Sequence, residues 1–204
     1  MKVALIGASG NVGSRILAEL LGRGHEVTGI VRHPEKLPAH EGLTAKRGDV
    51  NDESGLAQIL AGHDAVISSV KFRSMDRRSL IEALNRAGVK RLIVVGGAGS
   101  LEVAPNMQLV DTPDFPDGYK PEALAGRDFL NVLRGERELD WTFLSPSALF
   151  VPGKRTGKFR LGTDRLLVGA NGESKISFED YAIALVDELE TARHSRQRFT
   201  VGNW

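Results

Sequence analysis

The sequence predicts an α/β fold, a doubly wound parallel sheet of Rossmann type with helices on both faces. Three observations predict it. Short runs rich in Val and Ile alternate with segments of helical periodicity from the amino end onward. The connections between those runs are long enough for helical crossovers, which makes right-handed parallel pairing the default. The first run also feeds straight into a glycine-rich turn, Gly7-Ala8-Ser9-Gly10-Asn11-Val12-Gly13, that opens an amphipathic segment.

In chain order, Lys2 to Ile6 reads as the first strand and Asn11 to Arg23 as the first helix, with an apolar stripe of Ile16, Leu17, Leu20 and Leu21. Strands follow at His25 to Val31, Thr44 to Arg47, Asp64 to Ser69, Arg91 to Val95 and Trp141 to Ser145. Helices are expected at Glu53 to Leu60, Ser74 to Ala87 and Pro121 to Glu136. Lys158 to Leu161 and Arg165 to Val168, set between glycines, suggest a small hairpin. Ser177, with Asp180 three positions on, caps a helix running to about Ala192, and Arg198 to Val201 closes the sheet.

At roughly 150 residues per domain, 204 residues make one domain, with a smaller irregular region around 146–176 on the substrate side. Lys plus Arg number 27 against 26 Asp plus Glu, a net charge of +1, so no basic field exists to drive nucleic-acid binding. No stretch is long and apolar enough for a membrane span or a signal-peptide core. The chain has no cysteine, which excludes thiolate chemistry and fits a reducing cytoplasm, where the protein is expected to work. His25, His40, His63 and His194 are scattered without ligand spacing, so no metal site is expected and surface or loop roles suit them. Asp187, Glu188, Glu190, Arg193, Arg196 and Arg198 read as a solvated helix end and turn.

The glycine turn carries the chemistry. Glycines there let the backbone bend, let amides approach a pyrophosphate and let the helix pack close to the strand, while the helix amino terminus supplies partial positive charge. The second strand ends Ile30-Val31-Arg32, a guanidinium where an acid would hold the ribose hydroxyls of NAD. NADP(H) is therefore expected over NAD(H), with Lys36 as a second cation and His33 flanking the adenine. A solvated basic loop is the competing reading of those charges. Asp49 and Val50 follow the third strand, and Ser68, Ser69 and Val70 close the fourth. Asp49 has two roles open to it, accepting from the adenine amino group or capping the next helix.

The GASGNVG opening, VRHPEKL, GDVND, WTFLSPSALF and KISFEDYAIALVDELE resemble the NAD(P)H-binding, NmrA-like atypical branch of the short-chain dehydrogenase/reductases. The nearest likeness is to members provisionally named NADH-flavin reductases and related to biliverdin reductase B. The resemblance implies that Gly7, Ser9, Gly10, Asn11, Val12, Gly13, Arg32, Lys36, Asp49 and Val50 form the adenine-nucleotide half. Ser68, Ser69, Val70, Gly96 and Gly97 would line the nicotinamide half. The main branch of that superfamily reduces carbonyls with a serine and a Tyr-x-x-x-Lys pair. Here Ser100 supplies the serine, but Tyr119 is followed by Ala123 where the lysine belongs, and Tyr119 is either the acid or a loop-packing residue.

A hydride acceptor that needs little enzymic acid fits this departure, such as FMN, FAD or a quinone taken as substrate. The long segment Glu102 to Gly118 is expected to cover the site, with Phe150, Val151 and Phe159 as an apolar wall. The expected partner is thus a small-molecule acceptor, with no nucleic acid and no membrane, and the oligomeric state is open. The alternative is a non-catalytic NADP(H)-sensing regulator that acts through a protein partner.

Overall fold

After its leading lysine, every residue of β1 (Lys2–Ile6) is buried, because a parallel strand covered on both faces has no solvent side. The alternation of side chains sorts them between two cores. Val3 and Leu5 join a cluster with Ile16, Leu20, Tyr181 and Leu185, whereas Ala4 and Ile6 join Leu56, Leu80, Leu84 and Phe129 on the other face. The computed structural model, which describes residues 1–204, is organised around these two layers.

The chain runs through α1 (Asn11–Gly22), β2 (Glu26–Val31), β3 (Leu43–Arg47), α2 (Glu53–Leu60), β4 (Ala65–Ser68), α3 (Arg77–Ala87) and β5 (Arg91–Val95). A two-strand ladder, β6 (Glu102–Ala104) and β7 (Met107–Gln108), precedes α4 (Lys120–Gly135) and β8 (Asp140–Ser145). Then come β9 (Leu149–Val151), β10 (Arg160–Gly162), β11 (Lys175–Ser177), α5 (Phe178–Glu190) and β12 (Gln197–Gly202). The main sheet has 8 strands in the order β10-β12-β8-β5-β4-β1-β2-β3. It is parallel except where β10 runs antiparallel to β12. The doubly wound α/β expectation therefore holds. Because β1 pairs with β2 on one side and β4 on the other, the winding reverses at β1 and leaves a crevice outside its carboxyl end.

Four expectations need correction. The hairpin of Lys158–Leu161 with Arg165–Val168 does not form: β10 takes the free edge of β12 instead, and residue 165 bridges to Glu102. The third helix begins at Arg77 rather than Ser74, because Asp76 caps it, accepting from the Arg78 amide and the Ser79 hydroxyl. Phe150 and Phe159 pack against the α1/α5 core rather than walling an open site, and Phe150 sits 4.8 Å from the Phe178 ring and 4.6 Å from that of Tyr181.

The charged stretch at the end of α5 is only partly solvated: Asp187, Glu190, Arg193 and Arg196 are exposed, whereas Glu188 and Arg198 are buried. Glu188, 4% exposed, accepts from Arg91 at 3.1 Å and from His194 Nδ1 at 2.7 Å, and the His194 ring stacks on Phe199 at 4.0 Å. His25 is buried too, bonded to Glu190 at 2.8 Å. Arg198 is buried between Ser100 and Asp164. Long chains place these partners side by side, so local sequence patterning does not show their burial.

Candidate cofactor-binding cleft

Gly7 leaves β1 with φ +83°, a region that glycine enters without penalty. Its amide donates to Ile30 O at 2.9 Å and its carbonyl accepts from the Gly10 amide at 3.1 Å. A Cβ at Gly7 would collide with the Ser69 carbonyl, and one at Gly13 with the Gly7 carbonyl. The first turn of α1 is thus pressed against the strand that feeds it. Gly10, the residue before the helix, meets nothing of the chain closer than 3.4 Å where a Cβ would stand, so it faces open space. No side chain caps α1 and no acid lies in its first turn, which leaves that turn's amides and positive end free for an anion.

The crevice at this point is a cleft of about 480 Å³ lined by Gly7, Ser9, Gly10, Arg32, Asp49, Val50, Ser69 and Val70, with Ile6, Ile30, Val31 and Gly48 behind them. Those eight expected residues are brought together. Lys36 lies nearby on the Pro34–Lys36 turn but outside the lining, and His33 Nδ1 is 3.2 Å from Glu35. Asn11, Val12 and Gly13 form the helix start behind the lining. Ser68 is buried as the last residue of β4, and Gly96 and Gly97 stand just past the end of the neighbouring strand β5, outside the lining.

Asp49 does not cap the next helix. The cap of α2 is Asp52, which accepts from the Gly55 amide at 3.1 Å, while Asp49 is exposed on the cleft wall and bonds only the Asn51 amide, at 2.9 Å. Arg32 is exposed at the end of β2 and pairs with no acid. Sequence reasoning missed Asn51, Lys71 and Ser74, which complete the lining. Asn51 donates to Ser74 O at 3.0 Å and accepts from the Asp76 amide at 2.7 Å, tying the loop after β3 to the loop after β4. Reading one residue beyond Ser69-Val70 was the signal that would have found Lys71.

Neither expected acid lines the cleft. Ser100 is 3% exposed and its Oγ accepts from Arg198 at 3.1 Å. Burial pulls the Arg198 guanidinium below its usual range while Asp164 pushes the other way. Tyr119 is 72% exposed at the start of α4. Ala123, in the lysine position, is so close to Gly99 that a Cβ there would come within 2.7 Å of its own. Helix and loop are in close contact there. Under the turn at Gly96, Tyr181 donates to Leu144 O at 2.7 Å, and burial lifts its phenol well above the ordinary value. It is a neutral strut.

The cradle also fits a dinucleotide on its own terms. The two positions where a Cβ would collide with backbone are glycine, and the position facing the cleft is glycine as well. The chain is 49% identical to a crystal structure provisionally named an exported protein from Burkholderia pseudomallei, with a TM-score of 0.90 over 99% of each chain. One from Bacteroides thetaiotaomicron, provisionally named an epimerase, is 45% identical with a TM-score of 0.95 over 99% of this chain and 96% of that one. A third, provisionally named an NADH-flavin reductase, from Streptococcus pneumoniae, is 37% identical with a TM-score of 0.87 over 100% of both. The three names differ, and what the comparisons show in common with this chain is the fold. The family model described as NAD(P)H-binding matches residues 7–192, from the first glycine of the cradle to the turn after α5. The chain therefore belongs to the NAD(P)H-binding family.

Proposed function

We propose that the chain binds NADP(H) in this cleft and works as a reductase whose acceptor is a flavin, a quinone or a similar small conjugated molecule. The observation that carries the reading is Arg32, a free cation on the cleft wall where NAD-selective sites hold an acid. Around it the first-turn amides of α1 would hold the pyrophosphate, Arg32 with Lys36 the 2′-phosphate, and Asp49 the adenine amino group. Ser69, Val70, Gly96 and Gly97 would border the nicotinamide. When bound, the reduced nicotinamide supplies a hydride. The chain's own part is to orient two flat rings and exclude water, since Ala123 rules out the lysine that would tune a tyrosine acid. The name of the Streptococcus pneumoniae neighbour, 37% identical, agrees with this class. The cytoplasm is the compartment proposed for it, since a chain without cysteine fits a reducing environment. No helix is long and apolar enough to cross a membrane.

The test is absorbance-monitored oxidation of NADPH and NADH with FMN, FAD and a panel of quinones, beside a binding titration. Acceptor-dependent loss of NADPH is the expected result. Binding without turnover, with affinity differing between oxidised and reduced cofactor, would overturn the reductase and favour a sensor that signals to a protein partner. No binding of either nucleotide would overturn both.

A further inference from the structure

The wall of the cleft opposite Arg32 is the short turn from Lys71 to Ser74, and a short turn does not hold its shape unaided. From one side Asn51 grips it at Ser74 O and the Asp76 amide. From the other, the carboxylate of Glu122, in the first turn of α4, accepts from the Phe72 amide at 2.6 Å and the Arg73 amide at 3.1 Å. One oxygen serves each amide. No lysine or arginine pairs with Glu122, so its charge is spent on backbone donors, where ionised acceptors bind more strongly than neutral ones. Between the two bonded amides the Phe72 ring drops into an aromatic seat. It stacks on Phe143 at 6.0 Å and meets Phe129 edge-on at 6.2 Å, and Gly126 of α4 gives it room, since a Cβ there would come within 2.8 Å of the ring. One turn further along the same helix, Arg127 bonds Asp111 at 2.9 Å and Gln108 at 3.2 Å, so α4 also ties down the 102–118 segment.

We propose that Glu122 is a positioning residue for the dinucleotide: it fixes the 71–74 turn, and with it the Lys71 and Ser74 side of the cleft, without touching the ligand. The helix that lacks the lysine of a Tyr-x-x-x-Lys pair thus serves the site by holding a loop. This rests on reading the cleft as an NADP(H) site. The experiment compares the wild-type chain with Glu122→Gln, which keeps size but turns an NH2 toward a backbone donor, in two measurements. Hydrogen exchange of the ligand-free chain should show faster exchange confined to the Phe72 and Arg73 amides. Titration and kinetics should show dissociation constants and KM for NADPH and NADH both raised about tenfold, with kcat at saturating cofactor within about twofold and melting within about 2 °C.

Unchanged exchange at those two amides would overturn the proposal, whatever the wild type binds. So would unchanged cofactor affinity in a variant whose amides exchange faster. A loss of kcat and melting temperature in step with affinity would also overturn it, since that marks general loosening. Failure of the wild type itself to bind either nucleotide would sink the reading of the cleft instead, and the exchange result would still decide whether Glu122 holds the turn.

Discussion

At the amino ends of the central strands, Arg91, Glu188 and His194 form a closed group in which each charge meets a partner inside the chain, with the Thr142 hydroxyl accepting from Arg91 at 2.7 Å. At the carboxyl ends, Arg32 and Lys71 stand exposed and unpaired beside a cleft. The same sheet carries both arrangements, and the difference teaches where charge serves the fold and where it waits for a ligand. Buried charge must be paired within the chain because its desolvation has no other compensation. A cation left free at a concave surface has kept its capacity for an anion.

The strongest way to break that contrast is Glu188→Ala. It leaves the buried Arg91 guanidinium with only the longer 3.5 Å contact to the half-exposed Asp140 carboxylate and should cost about 3–5 kcal/mol of stability, read by denaturant unfolding, with nucleotide selectivity unchanged in whatever fraction stays folded. A loss below about 1 kcal/mol would mean that the group is no more than a surface pair. At the other end, Gly10→Val should do the reverse. Its backbone, at φ −72° and ψ 170°, suits valine and no chain atom blocks the new carbon, so melting should hold. Nucleotide affinity should fall at least about a hundredfold, near 2.7 kcal/mol, and undiminished binding by titration would reject the cleft.

Arg32→Ala sharpens the comparison further, since it should weaken NADPH more than NADH by about 1.5–3 kcal/mol with no change in unfolding. Equal losses for the two nucleotides would remove the 2′-phosphate role.

The smallest effect belongs to Glu19. Hydrogen bonds from Arg155, and after them Arg23, hold its carboxyl below the ordinary value of 4.5 against the opposing effect of burial. A carboxyl depressed in the folded chain contributes stability that is fully present above 4.5 and is lost as pH falls through its lower folded value. Arg155→Ala should therefore reduce stability by under about 1 kcal/mol near neutral pH, and the difference from wild type should vanish as the pH falls well below 4.5. A difference that persists in acid would assign the loss to packing.

What was legible in the sequence was local. The strand, the glycine turn and α1 are continuous in chain, and so is the position of Arg32 at the end of β2, so the Gly7–Gly10, Arg32 and Asp49 side of the cleft could be read from residues 2–50. The partners that were missed are distant: Arg91 and Glu188 are 97 residues apart, and Glu122 and Phe72 are 50 apart. No periodicity links such pairs. The misplaced hairpin fails for the same reason, since two short runs near each other promise mutual pairing, whereas β10 found a longer partner in β12 that arrives some forty residues later in the fold's winding. Ala123 was visible as a departure, whereas its close packing against Gly99 is a contact across 24 residues that only the fold shows.

The position of β12 between β8 and β10 bears on how the molecule is made. In synthesis the amino-terminal strands emerge first and can pair early, whereas β10 has no neighbour in the main sheet except β12, the last element in chain order. Until the ribosome has released residues 197–202, one side of β8 is an open parallel edge, the kind of edge that recruits foreign strands. β12 is the latch, and until it closes the edge of β8 is open to pairing with other chains.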